Sequence, residues 1–280
     1  MWNYFKSSVA LTITLILFSL VHSLCAKESK NEGASEEVVM LSYNIRNGRG
    51  MDNKTDYQRI ADVIKKEKAT IVAVQEVDNK TKRSKGVDVL SVLGKETGMV
   101  PTYARAIHYD GGEYGVGLLS KETPLMIMRF RLPGREEKRV LLMVEFERYC
   151  VFVTHLSLTS EDRLESLNII AKKARMMTKP VFIMGDFNFT PQSEEMKRLE
   201  KDFRVLNDVK QNTFPASSPK ECIDYIAYYK GGDKKIPNVS KKEVVNEPMA
   251  SDHRPVKVVA RVKGIRKPVG LNIVVPGCRG

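Results

Sequence analysis

Six apolar, strand-like segments of the sequence each carry a polar or ionisable residue at one end. In chain order these residues are Asn44, Glu76, His155, Asp186 with Asn188, Asp224, and Asp252 with His253. A single carboxylate at a strand end is usually a turn or capping residue. If the six ends converge on one rim of a fold, however, they form a cleft lined by carboxylates, amides and two imidazoles. That composition suits the magnesium-assisted hydrolysis of a phosphoester.

The chemistry of phosphoester hydrolysis explains these residue types. A divalent cation has to neutralise the phosphoryl oxygens, and Glu76 with Asp252 or Asn44 would supply hard oxygen ligands for Mg²⁺ or Mn²⁺. The attacking water needs a base, and a histidine titrates near neutral pH. Asp224 would fix the tautomer of His253 and stabilise its imidazolium form.

The positions of these residues depend on a mixture of strands and helices. Apolar, β-branched and aromatic runs predict strands at 38–45, 70–77, 116–120, 139–146, 149–156, 181–186, 222–229 and 255–262. Helical spacing predicts a helix after Asp56, a second that ends at Gly98, a third capped by Ser160 and a short charged helix at 193–201. Many strands with a few helices indicate layers of α and β structure.

The N-terminal segment differs from the rest of the chain. Residues 9–21 are a mainly apolar, uncharged run of thirteen, followed by small Ala26 and a polar stretch. This pattern predicts a secretory signal peptide at 1–26, with an uncleaved anchor as the alternative, although a membrane span needs about 20 apolar residues. Cys25 could instead accept a lipid, as in bacterial lipoproteins. The rest divides into a polar linker at 27–37, one domain at 38–263 and a C-terminal tail at 264–280.

Composition excludes several classes of protein. The chain has 280 residues, of which 42% are hydrophobic and 29% charged, so it is not a disordered, collagen-like or coiled-coil protein. The sequence contains no phosphate-binding P-loop, no GxSxG and no HExxH motif, and its four cysteines are too scattered for a zinc cluster. The net charge of +12 either favours anionic partners or only maintains solubility.

A family resemblance follows from seven segments. Over about 38–262 the chain resembles the endonuclease/exonuclease/phosphatase superfamily. The segments that carry the resemblance are, in chain order, SYNIRNG, VAVQEVD, YGVGLLS, THLSL, GDFN, IDYI and SDHRPV. This superfamily includes pancreatic deoxyribonuclease, apurinic endonucleases, neutral sphingomyelinases and inositol polyphosphate 5-phosphatases. GDFN and SDHRPV are specific together. The resemblance implies an α+β fold: a four-layer αββα sandwich of two mixed, mainly antiparallel sheets flanked by helices.

The resemblance also implies roles for individual residues. Glu76 resembles the principal metal ligand, Asn44 the amide at the metal and phosphate rim, and Asp252 a metal-linked carboxylate. Tyr114 stands where some members place a tyrosine near phosphate, with a structural aromatic as the alternative. Arg105 is a candidate phosphate contact or a surface charge, and the same alternatives apply to two further arginines, Arg139 and Arg163.

The catalytic set implied by the resemblance has five members. They are His253, its partner Asp224, the second histidine His155, and Asp186 with Asn188, which orient the attacking water and bind phosphate. The sequence also departs from one branch of the superfamily. Arg46 stands where the apurinic enzymes carry an acidic residue, so their abasic-site mechanism is not transferred.

Together these observations predict an exported, monomeric, Mg²⁺-dependent phosphoesterase that acts on a small or lipid-linked phosphoester. Mn²⁺ is an alternative metal, and a membrane surface becomes a partner if Cys25 is lipidated. The first alternative is an extracellular nuclease, which the net charge and the NIR motif favour. The lysines at 230–242 would then form one basic loop along the nucleic acid, or else a solvated loop. The second alternative is a catalytically silent binding module.

Overall fold

Twelve strands and four helices make up the residues that the structure, a computed structural model, describes: 35–231 and 236–263. The strands are β1 Ser35–Asn44, β2 Ile71–Asn79, β3 Val100–Tyr109, β4 Gly112–Ser120, β5 Met126–Leu132, β6 Arg139–Glu145, β7 Cys150–His155, β8 Val181–Asp186, β9 Phe203–Val205, β10 Asp224–Tyr229, β11 Asn238–Val244 and β12 Val256–Lys263. The helices are α1 Tyr57–Lys66, α2 Val89–Thr97, α3 Ser160–Arg175 and α4 Glu194–Asp202.

The strands form two six-stranded sheets. The strand order is β11-β12-β1-β2-β4-β3 in the first sheet and β5-β6-β7-β8-β10-β9 in the second. One pair of central strands in each sheet is parallel, β1 with β2 and β7 with β8. Other neighbouring strands pair antiparallel. These pairs are β2–β4, β3–β4 and β11–β12 in the first sheet, and β5–β6, β6–β7, β8–β10 and β9–β10 in the second. The prediction of two mixed, mainly antiparallel sheets is confirmed.

Three apolar clusters show how the layers stack. The cluster between the sheets contains inward side chains of both, such as Met40 and Phe182. Alternate residues of the first sheet pack against α1 and α2 around Ile60, and those of the second pack against α3 and α4 around Leu167. Because both faces of each sheet are covered, the central strands are apolar at nearly every position. The predicted four-layer αββα arrangement is confirmed.

The helix ends follow the local sequence signals. Asp56 caps α1 by accepting a hydrogen bond from the backbone N–H of Arg59 at 3.0 Å. Gly98 ends α2 with a left-handed φ of 62°, which glycine adopts without steric cost. The prediction for α3 is one residue off, because Thr159 is the capping residue and Ser160 begins the helix.

Two other boundaries need correction. β1 begins at Ser35, so residues 35–37 belong to a strand and not to the predicted linker. Residues 238–244 form the edge strand β11, not the loop predicted for 230–242. This strand is mostly exposed and rich in lysine, as edge strands commonly are, and it therefore lacks the apolar pattern that identifies a central strand. The predicted signal peptide, residues 27–34 of the linker and the tail at 264–280 lie outside the described residues.

Residues Glu37–Val262 form one compact unit. The other unit, Met1–Glu36 with Lys263–Gly280, falls almost wholly outside the described residues. Among the helices of the described ranges, none has the length and apolar character needed to cross a membrane.

Strand direction gathers the candidate site residues. The parallel pair β1 and β2 ends on one edge of the first sheet, where Asn44 pairs with Gln75. In the second sheet, β7 and β8 end side by side with His155 opposite Asp186, and antiparallel β10 begins at Asp224, also opposite Asp186. We refer to this end of the two sheets as the site edge.

Candidate active site

The carboxylate of Asp186 lies at the centre of the candidate site. Its Oδ2 accepts a hydrogen bond from Asn44 Nδ2 of the other sheet at 3.0 Å. The same oxygen lies 3.6 Å from His155 Nε2 and 3.7 Å from His253 Nε2. Asp186 is almost completely buried. One carboxylate therefore joins the first sheet, the second sheet and the loop before β12.

Glu76 reaches the site through an irregularity in its strand. The register of β2 against β4 shifts between Val74 and Val77, and Glu76 in this bulge has a left-handed φ of 59°. A left-handed residue other than glycine costs about 1–2 kcal/mol, and such strain concentrates at functional sites. The bulge turns the carboxylate towards Asn44, whose Nδ2 donates to Glu76 Oε1 at 3.1 Å.

The electrostatics around Glu76 disfavour its negative charge. Burial raises the pKa of the Glu76 carboxyl, and the hydrogen bond from Asn44 opposes this shift. The carboxylates of Asp252 and Asp186 raise the pKa further. Three carboxylates thus lie near one another, with His253 and Arg46 as the cations beside them, and a bound metal ion would further relieve their repulsion.

His253 and Asp224 form a buried hydrogen-bonded pair. The His253 Nδ1 atom lies 3.0 Å from Asp224 Oδ2, and the imidazole packs against the Phe214 ring with 4.8 Å between centroids. Burial disfavours the imidazolium, but Asp224 and Asp186 outweigh this effect and raise the pKa of His253 to about 10. With Nδ1 bound to Asp224, Nε2 of His253 is directed at Asp186.

His155 lies beside the same Asp186 carboxylate, but its pKa is shifted in the opposite direction to that of His253. Burial lowers its pKa to about 4, against the attraction of Asp186. The two histidines differ because His253 has a second carboxylate partner in Asp224, whereas His155 faces one carboxylate and also senses the positive charge of Arg139. At neutral pH the site therefore combines a neutral imidazole with an imidazolium, and such divergence is typical of acid–base sites.

Asn188 holds the Asp186 carboxylate from the other side. Its backbone N–H donates to Asp186 Oδ1 at 3.0 Å, and its side-chain Nδ2 donates to the Leu156 carbonyl at 2.8 Å. A left-handed φ of 52° allows both bonds. Asn188 thus connects the strand ends of β7 and β8.

Asp252 is linked to the end of β1. Ser251 Oγ donates to the carbonyl of Asn44 at 2.8 Å. Arg46 Nε lies 3.4 Å from Asp252 Oδ2, and the backbone N–H of Arg46 donates to Asn44 Oδ1 at 3.0 Å. From the sequence, Arg46 differs from one family branch but has no assigned role. The structure makes it the cation beside the candidate metal ligands.

Tyr114 and Arg105 differ in their relation to the site. Tyr114 lies opposite Asp78 in the register of β4 against β2, two residues after Glu76, and burial followed by the charge of Glu76 raises the pKa of its phenol. Arg105 instead donates to Glu113 at 2.8 Å in a solvent-exposed pair between β3 and β4. Its charge is therefore already paired with a carboxylate, and its contact with phosphate stays a prediction.

Arg139 lies near the site, although two alternatives, a phosphate contact and a surface charge, were open for it from the sequence. This residue, 6% exposed, begins β6, and its guanidinium is held by Glu137 Oε1 at 2.9 Å and Glu136 Oε1 at 3.5 Å. Its charge acts on both His155 and Tyr114. Arg163 is bound to Glu195 at 2.6 Å between α3 and α4 and has a structural role.

The donor chemistry of the site fits a magnesium ion. Glu76, Asp252 and Asn44 supply the hard oxygens that Mg²⁺ prefers, and their negative charge is compensated in the described residues chiefly by Arg46. Asp186, Asp224 and His253 also have ligand atoms within 4.8 Å of one another. That second set is less suitable for Mg²⁺, because it includes an imidazole nitrogen and its Nδ1 is hydrogen bonded to Asp224.

The sequence and the fold both match known proteins. Residues 41–253 match the model of the endonuclease/exonuclease/phosphatase family. No curated protein sequence matches the chain.

Three solved structures illustrate the likeness in fold. The endonuclease/exonuclease/phosphatase of Bacteroides vulgatus has a TM-score of 0.67 at 19% identity, covering 81% of this chain and 99% of that one. The mannosyl-6-phosphatase of Bacteroides thetaiotaomicron has a TM-score of 0.63 at 17% identity, covering 79% and 98%. A humanized D. rerio TDP2 has a TM-score of 0.61 at 15% identity, covering 80% and 98%. At these identities the likeness concerns the fold alone.

The contact between His253 and Asp224 predicts coupled effects of substitution. His253→Ala should lower phosphoester turnover by roughly 10²-fold or more, because it removes the ring that would donate a hydrogen bond to the phosphoryl group. Asp224→Asn should lower turnover and also reduce the His253 pKa from about 10, measured by NMR titration of the ring. Since the two residues act as a unit, the double variant should lose little more than His253→Ala alone. Independent, multiplicative losses would contradict this assignment.

Proposed function

The chain belongs to the endonuclease/exonuclease/phosphatase family, and on this basis we propose that it is an exported, magnesium-dependent hydrolase of a small or lipid-linked phosphoester. The observation that carries the proposal is the Asp186 carboxylate, which contacts Asn44, His155 and His253 at 3.0, 3.6 and 3.7 Å. A catalytically silent module has no need to maintain this buried arrangement, whose carboxylates and imidazoles are costly to desolvate.

Glu76 and Asp252 would hold the magnesium ion, with Asn44 beside them. The ion would supply positive charge to the phosphoryl oxygens and thereby reduce their repulsion of the attacking water. Arg46 lies 3.4 Å from Asp252. This part of the site therefore carries a guanidinium group at the position where the apurinic enzymes carry an acidic residue.

The protein side chains divide the proton chemistry between them. Asp186 is the acceptor for a proton of the attacking water, because two histidines and Asn44 orient its carboxylate. His253, held as an imidazolium by Asp224, donates a hydrogen bond from Nε2 towards the negative charge that develops on the phosphoryl group. His155 stays neutral and fixes the position of Asp186.

The proposed substrate is compact or lipid-linked because, among the described residues, two arginines near the second sheet's part of the site edge are paired with carboxylates. Arg139 is bound by two glutamates and Arg163 by another, so their charges are already compensated. A nucleic-acid strand that crosses the site needs cations on both sides to contact successive phosphates. The hydrolysis of a phosphomonoester by the mannosyl-6-phosphatase neighbour is in keeping with a compact substrate.

Activity should require a divalent metal ion. Excess chelator should abolish hydrolysis of a soluble aryl phosphoester, and Mg²⁺ or Mn²⁺ should restore it. Glu76→Gln retains the shape of the side chain but removes its charge, so it should raise the Mg²⁺ concentration needed for half-maximal activity without lowering the unfolding midpoint. Glu96→Gln, which removes an exposed carboxylate near the end of α2, is the matched control. Full activity in excess chelator would rule out this function.

The salt dependence of activity should separate a compact substrate from a polymer. An enzyme that contacts one or two phosphates should lose little affinity between 50 and 200 mM salt. A nuclease that makes six phosphate contacts should lose roughly 10³-fold over that range. The measurement is kcat/KM at several salt concentrations for plasmid DNA, RNA, sphingomyelin, phosphoinositides and sugar phosphates. Rapid nicking of plasmid with a steep salt slope would favour the nuclease.

Export is proposed from the N-terminal sequence. The apolar run at 9–21 and the small residue Ala26 support cleavage at or just after Cys25. Mass spectrometry of protein isolated from its natural host should find a mature N-terminus near this position. An acylated Cys25 would place the enzyme on a membrane, whereas an intact Met1 on soluble protein would contradict export.

A further inference from the structure

Three exposed apolar side chains stand on separate loops around the catalytic residues. Leu158 is 67% exposed and lies three residues after His155, and Met249 is 45% exposed and lies three residues before Asp252. Tyr109 is 40% exposed at the end of β3, with its ring centroid 6.0 Å from that of Tyr114. All three therefore leave the protein at the site edge.

The fold holds each of these side chains in place. The backbone N–H of Leu158 donates to Glu136 at 2.8 Å, and its carbonyl accepts from Arg163 at 2.7 Å. The backbone N–H of Met249 donates to Glu247 at 3.0 Å, and its carbonyl accepts from Met51 at 2.9 Å. Because the backbone on either side is fixed, the exposed side chains are presented outwards and do not fold back into the core.

Tyr109 is supported by a paired arginine. Arg83 makes two hydrogen bonds of 2.7 Å to the buried carboxylate of Asp78. Its guanidinium carbon lies 4.5 Å from the centroid of the Tyr109 ring and 5.5 Å from that of Tyr114. The charge of Arg83 is thus compensated, and the residue serves as a platform for the exposed ring.

The same loop displays three further cations. Lys80, Lys82 and Lys85 are all exposed, and none forms an ion pair within the ranges that the structure describes. Hydrogen bonds fix the loop: the backbone N–H of Lys82 donates to the Asp110 carbonyl at 2.8 Å, and Thr81 Oγ1 donates to Asp78 at 2.8 Å. We call Lys80, Lys82, Lys85, Tyr109, Leu158 and Met249 the rim.

We propose that the rim docks on an anionic lipid surface, so that the phosphoester cleaved at Asp186 belongs to a lipid headgroup. The inference rests on the proposed function and names its substrate class. Tyrosine suits the boundary between headgroups and acyl chains because its ring is apolar and its hydroxyl is polar. Leucine and methionine enter the same region, and lysines are attracted to anionic headgroups.

A lipid surface suits the rim better than a nucleic-acid strand. Two of its three apolar members are aliphatic, and they cannot stack on bases as aromatic side chains do. Its free cations lie on one loop of the first sheet, whereas Arg139 of the second sheet and Arg163 of α3 are bound to glutamates. A flat surface can contact one basic loop and three apolar tips together.

The test measures vesicle binding by sedimentation, without turnover. The full chain is mixed with vesicles of phosphatidylcholine alone or with equal parts of phosphatidylglycerol. One variant combines Lys80→Gln, Lys82→Gln and Lys85→Gln, and a second combines Leu158→Gln with Met249→Gln. Two matched controls make the same changes at exposed positions away from the site edge. One combines Lys66→Gln, Lys172→Gln and Lys201→Gln, and the other combines Leu125→Gln with Met176→Gln.

The rim variants should bind anionic vesicles less tightly than their controls. Each basic residue near an anionic surface contributes roughly fivefold to partitioning, so the lysine variant should bind roughly 100-fold more weakly. The apolar variant should bind roughly tenfold more weakly on vesicles of either composition. Any binding by the apolar run at 9–21 is common to all variants and cancels in the comparison.

Equal vesicle binding by rim and control variants would overturn the proposal. Loss of binding to a single-stranded oligonucleotide by the lysine variant, with vesicle binding unchanged, would overturn it in favour of nucleic acid. Hydrolysis of a soluble aryl phosphoester by the unaltered protein with Mg²⁺ is measured separately. A failure of that assay would reject the proposed hydrolase. The vesicle-binding result would still decide separately whether the rim docks on a lipid surface.

Discussion

The sharing of one carboxylate oxygen between two sheets is the constraint on which the candidate site depends. Asp186 Oδ2 receives Asn44 from the first sheet and faces His155 and His253 at 3.6 and 3.7 Å. A buried carboxylate is costly unless several donors compensate its charge, so these contacts hold the ends of the strands together. A shift of either sheet would break the contact with Asn44 and leave the charge unpaired. The geometry of the site is therefore coupled to the packing of the whole sandwich.

The same burial gives two identical side chains different chemistry. Desolvation determines the pKa of His155 and keeps the ring neutral, whereas the second carboxylate, Asp224, reverses the effect for His253. Glu76 shows a third outcome, in which burial and like charges raise the pKa of a carboxyl that a cation would restore to its ionised form. Acid, base and metal-binding roles can thus be distributed over a few ångströms by environment alone, which is how one small site can perform several steps of a hydrolysis.

The surroundings of the site carry information that the catalytic residues do not. Arg46, Arg83 and Arg139 all lie near the cleft, yet each is paired with a carboxylate. The net charge of +12 therefore does not translate into free cations inside the cleft. Uncompensated charge is found instead on the exposed lysines of the 80–86 loop, beside an aromatic ring that an ion-paired arginine supports. This separation between a compensated interior and a basic rim favours an anionic lipid surface, and not a long polymer, as the docking partner.

The sequence by itself determined the order of the strands, the polar residues at their ends and the family to which the chain belongs, because these follow from local patterns and short motifs. Only the tertiary structure decided which side chains meet. It paired Arg105 with Glu113, placed Arg46 beside Asp252, and shifted the pKa values of the two histidines in opposite directions. It also revealed β5, β9 and β11, whose exposed or short segments lack the apolar alternation that marks a strand. Long-range register and burial set these outcomes, and neither is encoded in the neighbours of a residue along the chain.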